Sequence, residues 1–323
     1  MASLSEIKKP VLLEIALFDS HFRDAMKSRV ALLDKITYYI VKTKGKQFRP
    51  LICILTAKML GEVNDKTYAA ATLVELLHTA SLVHDDVVDN ADQRRSFFSI
   101  NALWKNKIAV LVGDYLLSRG LLTALSKKYF DLLEVLSVAV KEMSEGELLQ
   151  LEKARRLDIT EEIYYQIIRQ KTASLIRVSC RCGAQSVTED PAVIEHVSIF
   201  GEQLGLAFQI KDDLMDINAD VTGKPKILDI KEKKMTLPLI SALQAAPAGI
   251  RKEIISDIRS RSEDEAVIRK VLSFIHDYKG AQIAHQKMNK HRDIALQALE
   301  QLPANVARNS LSQLCYFVTE RTS

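Results

Sequence analysis

The sequence predicts an all-α protein, on three observations. Apolar residues recur at three- and four-residue steps, as in Leu73, Leu76, Leu77 and Ala80 or Leu132, Leu133, Leu136 and Val140, which places them on one face of a helix. Sustained strict alternation, the mark of a half-buried strand, is nearly absent. Breakers are scarce, with 11 Gly and 7 Pro in 323 residues, which leaves room for long uninterrupted elements. Punctuation falls near Gly45, Pro50, Gly61, the Asn90 to Ser99 stretch, Gly120, Pro191, the Gly223 to Pro225 turn, Pro247 and Pro303, cutting the chain into roughly a dozen helices. No Ser/Gly linker or low-complexity run separates two halves, so residues 1–323 read as one helical domain.

Composition bounds the function. The chain is 47% hydrophobic and 27% charged, and its 45 Lys+Arg against 41 Asp+Glu give a net charge of +4. Basic and acidic residues are interleaved, which argues against nucleic acid as a partner. Length alone supplies a core large enough to need no disulfide or structural metal. Cys53, Cys180, Cys182 and Cys315 show no zinc-ligand spacing and read as reduced thiols. The first residues carry no secretory h-region, and no run approaches the roughly 18 consecutive apolar residues of a membrane span. The expected compartment is the cytosol.

One pattern occurs twice in the same helical setting: His84-Asp85-Asp86-Val87-Val88-Asp89 and Lys211-Asp212-Asp213-Leu214-Met215-Asp216. Residues four apart are displaced by about 40° around a helix, so Asp85 and Asp89 share a face, as do Asp212 and Asp216. Such carboxylate pairs suit Mg²⁺, which takes one or two carboxylates, keeps several waters and completes its shell with phosphate oxygens. A single D-D-x-x-D is equally a solvated helix end. Two beside apolar stretches favour cation binding, because carboxylates clustered near a buried face repel one another unless a cation is present.

A diphosphate held by cations also attracts basic side chains. Arg94 and Arg95 follow the first clamp; Lys224, Lys226, Lys231, Lys233 and Lys234 follow the second; Lys46, Arg49 and Lys171-Thr172 lie farther away in sequence. Arginine offers bidentate phosphate recognition and lysine a mobile point charge. His78 lies two turns before Asp85, within about 20° of the same face, and is a phosphate donor or a packed core residue. His84 has no companion histidines at metal-ligand spacing and reads as packing. No G-x-S-x-G, P-loop or G-x-G-x-x-G element is present.

Taken together these residues resemble the trans-type polyprenyl diphosphate synthases over nearly the whole chain. The motifs are Gly45-Lys46-x-x-Arg49-Pro50, the run from Glu75 to Asp89, Arg94-Arg95, Gly113 to Ser118, Glu145 to Glu147, Lys171-Thr172, Gly205 to Asp216, and Lys234-x-Thr236-Leu237-Pro238. The resemblance implies a helical bundle with a deep central cavity. It implies a homodimer that condenses isopentenyl diphosphate onto an allylic diphosphate with Mg²⁺, three ions in the family. It makes Asp85, Asp89 and Asp212 the metal ligands and Asp216 a further candidate, with Asp86 and Asp213 in support. The allylic diphosphate goes to Arg94, Lys171, Lys224 and Lys234, with Thr172 shielding the reacting carbon. Isopentenyl diphosphate goes to Lys46, Arg49, His78 and Arg95, with Gln209 nearby. The sequence departs from the family after Arg95, where Ser96-Phe97-Phe98-Ser99 replaces a Gly-Lys pair and makes the phenylalanines candidates for packing or for a partner or membrane contact. It departs again at Ile227 and Lys233, where glycines are usual.

Ala80 and Ser81, the fifth and fourth residues before Asp85, are both small. Within the family this resembles long-chain members, in which the product grows past an unobstructed wall, such as those that supply quinone side chains; Leu136, Val140 and Met143 are floor candidates. Small residues also simply permit close helix packing. A short-chain (C15 to C20) synthase, a class I terpene cyclase and a noncatalytic subunit of a heteromeric synthase are the competing readings. Both clamps are intact and the set Lys46, Arg49 and His78 is present, which weighs against the last two.

Overall fold

The computed structural model describes residues 2–43, 45–94, 97–218 and 228–321; the sequence-predicted ligands Arg95 and Lys224 lie outside them. The chain is almost wholly helical. In order the helices are α1 (Leu4–Lys8), α2 (Leu12–Met26), α3 (Ala31–Lys42), α4 (Phe48–Leu60), α5 (Asp65–Val88), α6 (Ile100–Trp104), α7 (Asn106–Ser126), α8 (Phe130–Arg156) and α9 (Glu161–Ile168). They continue as α10 (Ser174–Gln185), α11 (Pro191–Ile217), α12 (Leu228–Lys231), α13 (Leu237–Ala245), α14 (Ala248–Arg261), α15 (Glu265–Asp277), α16 (Gly280–Glu300) and α17 (Val306–Glu320). These seventeen among the described residues exceed the predicted dozen. Part of the surplus comes from breaks that no Gly or Pro marks: Lys105 at φ 72° parts α6 from α7, and Lys128 at φ 58° parts α7 from α8, while α7 runs unbroken through Gly120.

Two of the long helices, α5 and α11, carry the aspartate clamps, and both start from strong caps. The Asn64 side chain accepts the N–H groups of Lys66 and Thr67 at the head of α5. Asp190 does the same for Ala192 and Val193 at the head of α11, where Pro191 is preset for the first turn. Apolar side chains of α4, α5, α7, α8 and α10 share one core with the N-terminal helices and α17. A second core joins α9, the C-terminal part of α11, and α13 to α16.

Helix α7 lies against α5 because two glycines let the backbones approach. A Cβ on Gly113 would lie 2.1 Å from His84 Nε2, and one on Gly120 would lie 2.9 Å from Leu73 Cδ1. His84 is therefore the packing residue expected, with Nε2 3.2 Å from the Val110 carbonyl. The outward face of α7 is apolar: Leu111, Leu122 and Leu125 are each more than half exposed. Helix α7 is long and apolar enough to cross a membrane by length and composition alone, although Asp114 and Arg119 interrupt its apolar run.

The predicted loop after the first clamp is a short antiparallel hairpin, β1 (Gln93–Arg94) against β2 (Phe97–Phe98). It rests on α3, where the Tyr39 hydroxyl donates to the Phe98 carbonyl at 2.8 Å. Both Phe97 and Phe98 remain exposed. All four cysteines are free and buried.

Candidate functional site

Each clamp sits in the last turn of a long helix, where carboxylates face the negative end of the helix dipole. That placement is unfavourable unless cations gather there. The first clamp ends α5, with Asp89 as its C-cap donating its N–H to the Asp85 carbonyl at 2.8 Å. The second ends α11. Within each clamp the middle aspartate turns inward, Asp86 being 3% and Asp213 4% exposed, while Asp85, Asp212 and Asp216 are half-buried and Asp89 is exposed.

The inward aspartates hold site residues in place. Arg94 sets Nε and Nη2 each 2.7 Å from Asp86 Oδ1. Asp213 accepts from the Tyr164 hydroxyl at 2.7 Å, from Gln209 Nε2 at 3.1 Å and from the Leu237 N–H at 3.3 Å. Burial, reinforced by Asp229, raises the Asp213 carboxyl to about 7.

The outer aspartates face charged neighbours on other helices. Burial and then the charge of Glu147 on α8 raise Asp85 to about 6, against the opposing pull of Lys171 and Arg94. Lys171 is paired with Glu147 and donates to Gln150 Oε1 at 3.0 Å. Asp212 is paired with Arg321 at the end of α17, whose guanidinium stacks 4.5 Å over the Phe208 ring. Asp216 accepts the N–H groups of Leu228 and Asp229 at 3.1 and 3.2 Å, the first turn of α12. Burial followed by Asp216 raises Asp229 to about 6. Burial opposes the charge of Lys234, yet pairing with Glu232 and the fields of Asp229 and Asp89 hold its pKa above the ordinary value. Lys234, which follows the second clamp in sequence, thus feels the charge of Asp89 in the first.

Between α9 and α10 the chain makes a π-helical turn, Arg169–Ala173, a local widening that re-aims backbone carbonyls. It carries Lys171 and Thr172. Gly146 makes room for it, since a Cβ there would lie 2.9 Å from the Lys171 nitrogen. The Thr172 hydroxyl donates to Gln209 Oε1 at 2.9 Å. A cavity opens here, lined among others by Lys171, Thr172, Gln209, Asp213, Asp229 and Lys234.

A second cavity is lined by His78 and Glu75 of α5, by Asp86 and Arg94, and by the two hairpin phenylalanines. Arg49 Nη1 donates to His78 Nε2 at 2.8 Å, so these two expected ligands do meet. Lys46 lies 5.8 Å over the Phe317 ring of α17. Ser81 donates its hydroxyl to the His78 carbonyl at 2.9 Å, and Ala80 is 3% exposed.

Tyr164, Asp229, Gln150 and Arg321 were not singled out from sequence. Asp229 lies thirteen residues after Asp216 in a lysine-rich stretch that masks it, and Arg321 is an isolated cation near the end of the chain. Glu147 was visible in the Glu145-Gly146-Glu147 motif, but nothing in that motif assigns it to Lys171.

The polyprenyl synthetase family model matches residues 30–275. The all-trans-nonaprenyl-diphosphate synthase (geranyl-diphosphate specific) of Rhodobacter capsulatus is 36% identical over 319 residues, covering 98% of this chain and 97% of its own. A decaprenyl diphosphate synthase structure from the same organism superposes with a TM-score of 0.94 at 30% identity, covering 99% of this chain and all of that one. A polyprenyl synthase from Caulobacter crescentus CB15, complexed with calcium and isoprenyl diphosphate, gives a TM-score of 0.91 at 32% identity, covering 99% and 98% of the two chains.

Proposed function

The chain belongs to the polyprenyl synthetase family, and from that membership we propose that it is a long-chain trans-polyprenyl diphosphate synthase, a prenyltransferase that adds isopentenyl diphosphate head to tail onto an allylic diphosphate. One observation carries the reading. Asp213 of the second clamp lines one cavity with Lys171 and Lys234, Asp86 of the first clamp holds Arg94, and Arg49 meets His78 of α5.

The donor set fits Mg²⁺, and we assign three ions to it. Among the described residues no three acidic, imidazole or thiol groups converge into a cage. A cage is not required, because Mg²⁺ takes few carboxylates and relies on waters and substrate phosphates. Asp85, Asp89 and Asp212 would hold the metal, with Asp216 and Asp229 behind them. When bound, the ions neutralise the diphosphate and so favour its departure from the allylic carbon. The protein's own groups do the rest. Arg94, steered by Asp86, and Lys171 and Lys234 bind the departing diphosphate and stabilise its developing charge. Arg49 and His78 hold isopentenyl diphosphate, joined by Lys46 once it leaves Phe317. The π-turn carbonyls and the Thr172 oxygen face the carbon that becomes positive, and the apolar walls exclude water. The double bond of isopentenyl diphosphate attacks that carbon, and released diphosphate takes the proton lost from the adduct.

Small side chains at Ala80 and Ser81 support the long product. The exposed leucines of α7, with Phe130, Val138 and Leu148 of α8, form an apolar face suited to a second copy of the chain, and we assign the homodimer interface there. The hairpin phenylalanines are the point where product release would touch a membrane in a cytoplasmic enzyme.

Incubation of the purified protein with farnesyl diphosphate, labelled isopentenyl diphosphate and Mg²⁺, followed by sizing of the dephosphorylated products, tests the reading. A ladder extending well beyond C20 is expected. Products ending at C15 to C20 would make it a short-chain enzyme, and no condensation would make it a partner subunit.

A further inference from the structure

We propose that Tyr164, which belongs to none of the motifs, is a positioning residue for the condensation, fixing the Gln209 amide through Asp213 and thereby the Thr172 hydroxyl beside the allylic carbon. The inference rests on the function proposed above.

Four side chains from three segments make one directed chain. Tyr164 comes from α9, Thr172 from the π-helical turn that follows it, and Gln209 and Asp213 from successive turns of α11. Among the described residues the Tyr164 hydroxyl donates to Asp213 Oδ2 at 2.7 Å, and the residue is 4% exposed. Asp213 Oδ1 accepts from Gln209 Nε2 at 3.1 Å, which sets the amide with its NH₂ group on that side. The amide oxygen is left facing Thr172, and at 2.9 Å it can only accept the threonine proton. With that proton engaged, the lone pairs of Thr172 Oγ1 are turned toward the cavity, where they oppose a developing positive charge. Reversing the amide would reverse the threonine hydroxyl and aim its proton at the same carbon.

Tyr164 and the Leu237 N–H pin the Asp213 carboxylate from its Oδ2 side. The tyrosine bond is the shorter of the two. Without it the carboxylate can rotate about its Cβ–Cγ bond, and the amide loses its single orientation. The ground-state contacts to diphosphate, made by Lys171, Lys234 and Arg94, do not pass through this chain. Losing it should therefore slow the chemical step without weakening substrate binding.

The test is steady-state kinetics of Tyr164→Phe, which removes the hydroxyl and keeps the ring, in the wild-type and Thr172→Val backgrounds. In the wild-type background kcat should fall about tenfold, the scale of one buried hydrogen bond to a charged group, with KM for both diphosphates within about twofold. In the Thr172→Val background, where the chain already lacks its end, Tyr164→Phe should change kcat by less than about twofold. Equal losses in both backgrounds would mean a structural role only, and an unchanged kcat or a rise in KM alone would equally overturn the proposal. Gln209→Met cuts the same chain while leaving the Tyr164–Asp213 pair intact. It should reproduce the kcat loss and the insensitivity to Thr172→Val, so instability of Tyr164→Phe would not shelter the idea. Wild-type protein that makes no prenyl product under these conditions would overturn the function itself, which separates that failure from this one.

Discussion

The Arg94 guanidinium closes on Asp86, with Nε and Nη2 each 2.7 Å from Oδ1, so the middle aspartate of the first clamp serves an arginine. The outer aspartates and Asp86 should then respond differently to substitution. Asp85→Asn and Asp89→Asn should raise the Mg²⁺ concentration for half-maximal activity by about tenfold or more. Asp86→Asn should leave that concentration nearly unchanged and raise KM for the allylic diphosphate, because Arg94 is no longer held. A magnesium titration at fixed substrate and a KM determination distinguish the two. A shift for Asp86→Asn as large as that for Asp85→Asn would place Asp86 on the metal.

Removing Arg94 has a further consequence. Asp86 is 3% exposed, and Arg94→Ala strands its carboxylate, at a cost of about 1–3 kcal/mol. Denaturant unfolding should show that loss, and Asp86→Asn combined with Arg94→Ala should recover part of it. A double variant no more stable than Arg94→Ala would contradict the pairing.

Gly113 and His84 test the seam between α7 and α5. A Cβ at Gly113 would lie 2.1 Å from His84 Nε2, so Gly113→Ala forces the ring or the helix to move. The expected destabilisation is about 1–3 kcal/mol. His84→Ala removes the obstructing ring and should return most of it. Melting of the two single variants and the double variant closes the cycle, and simple additivity would show that the two residues do not meet.

Acid stability should carry a signature of His291. Burial, helped by the charges of Lys290 and Arg169, lowers its pKa from 6.5 to about 4, and its Nδ1 lies 2.6 Å from Gln203 Oε1. Between those pH values the unfolded chain binds a proton that the folded chain refuses, so stability present above pH 6.5 is lost on acidification toward pH 4. Asp85 at about 6, Asp213 at about 7 and Asp229 at about 6 act in the opposite sense, because the folded state takes up their protons first. His291→Asn isolates the first contribution. The wild type should lose more melting temperature than the variant between pH 7 and 4.5, whereas parallel curves would show that His291 does not titrate as described.

Motifs made much of this site legible in the sequence, because the chemistry needs particular residue types at helical spacing. The i,i+4 carboxylates, Arg94, Lys171-Thr172 and Gln209 all stand at the site. The helical class was equally legible from three- and four-residue periodicity and scarce breakers. What sequence did not yield was the division of labour inside each D-D-x-x-D, since spacing says which residues share a face but not which one turns inward. Tyr164 was invisible because its role depends on a contact 49 residues away. Arg321 reaches Asp212 across 109 residues, and no local pattern announces such a pairing. The π-helical turn at Arg169–Ala173 also went unseen, because its sequence continues an ordinary helical pattern and only the packing against Gly146 reveals why it bulges.

Product length gives the last prediction, and here the two small residues of α5 separate. Ser81 is four residues before Asp85 and so about 40° from it around the helix, while Ala80 lies about 140° away. Ala80 instead shares a stripe with His84, whose ring fills the space at Gly113 of α7, and it is 3% exposed. Ser81→Phe should therefore shorten the product with little loss of stability, since a half-buried side chain on the clamp face projects along the path of the growing chain. Ala80→Phe should also shorten the product, but with a fall in stability of about 1–3 kcal/mol from overpacking the seam. Product sizing by chromatography and a thermal melt of each variant check both. If Ala80→Phe shortens the product at unchanged stability while Ser81→Phe leaves product length unaltered, the growing chain runs between α5 and α7 and not beneath the clamp face.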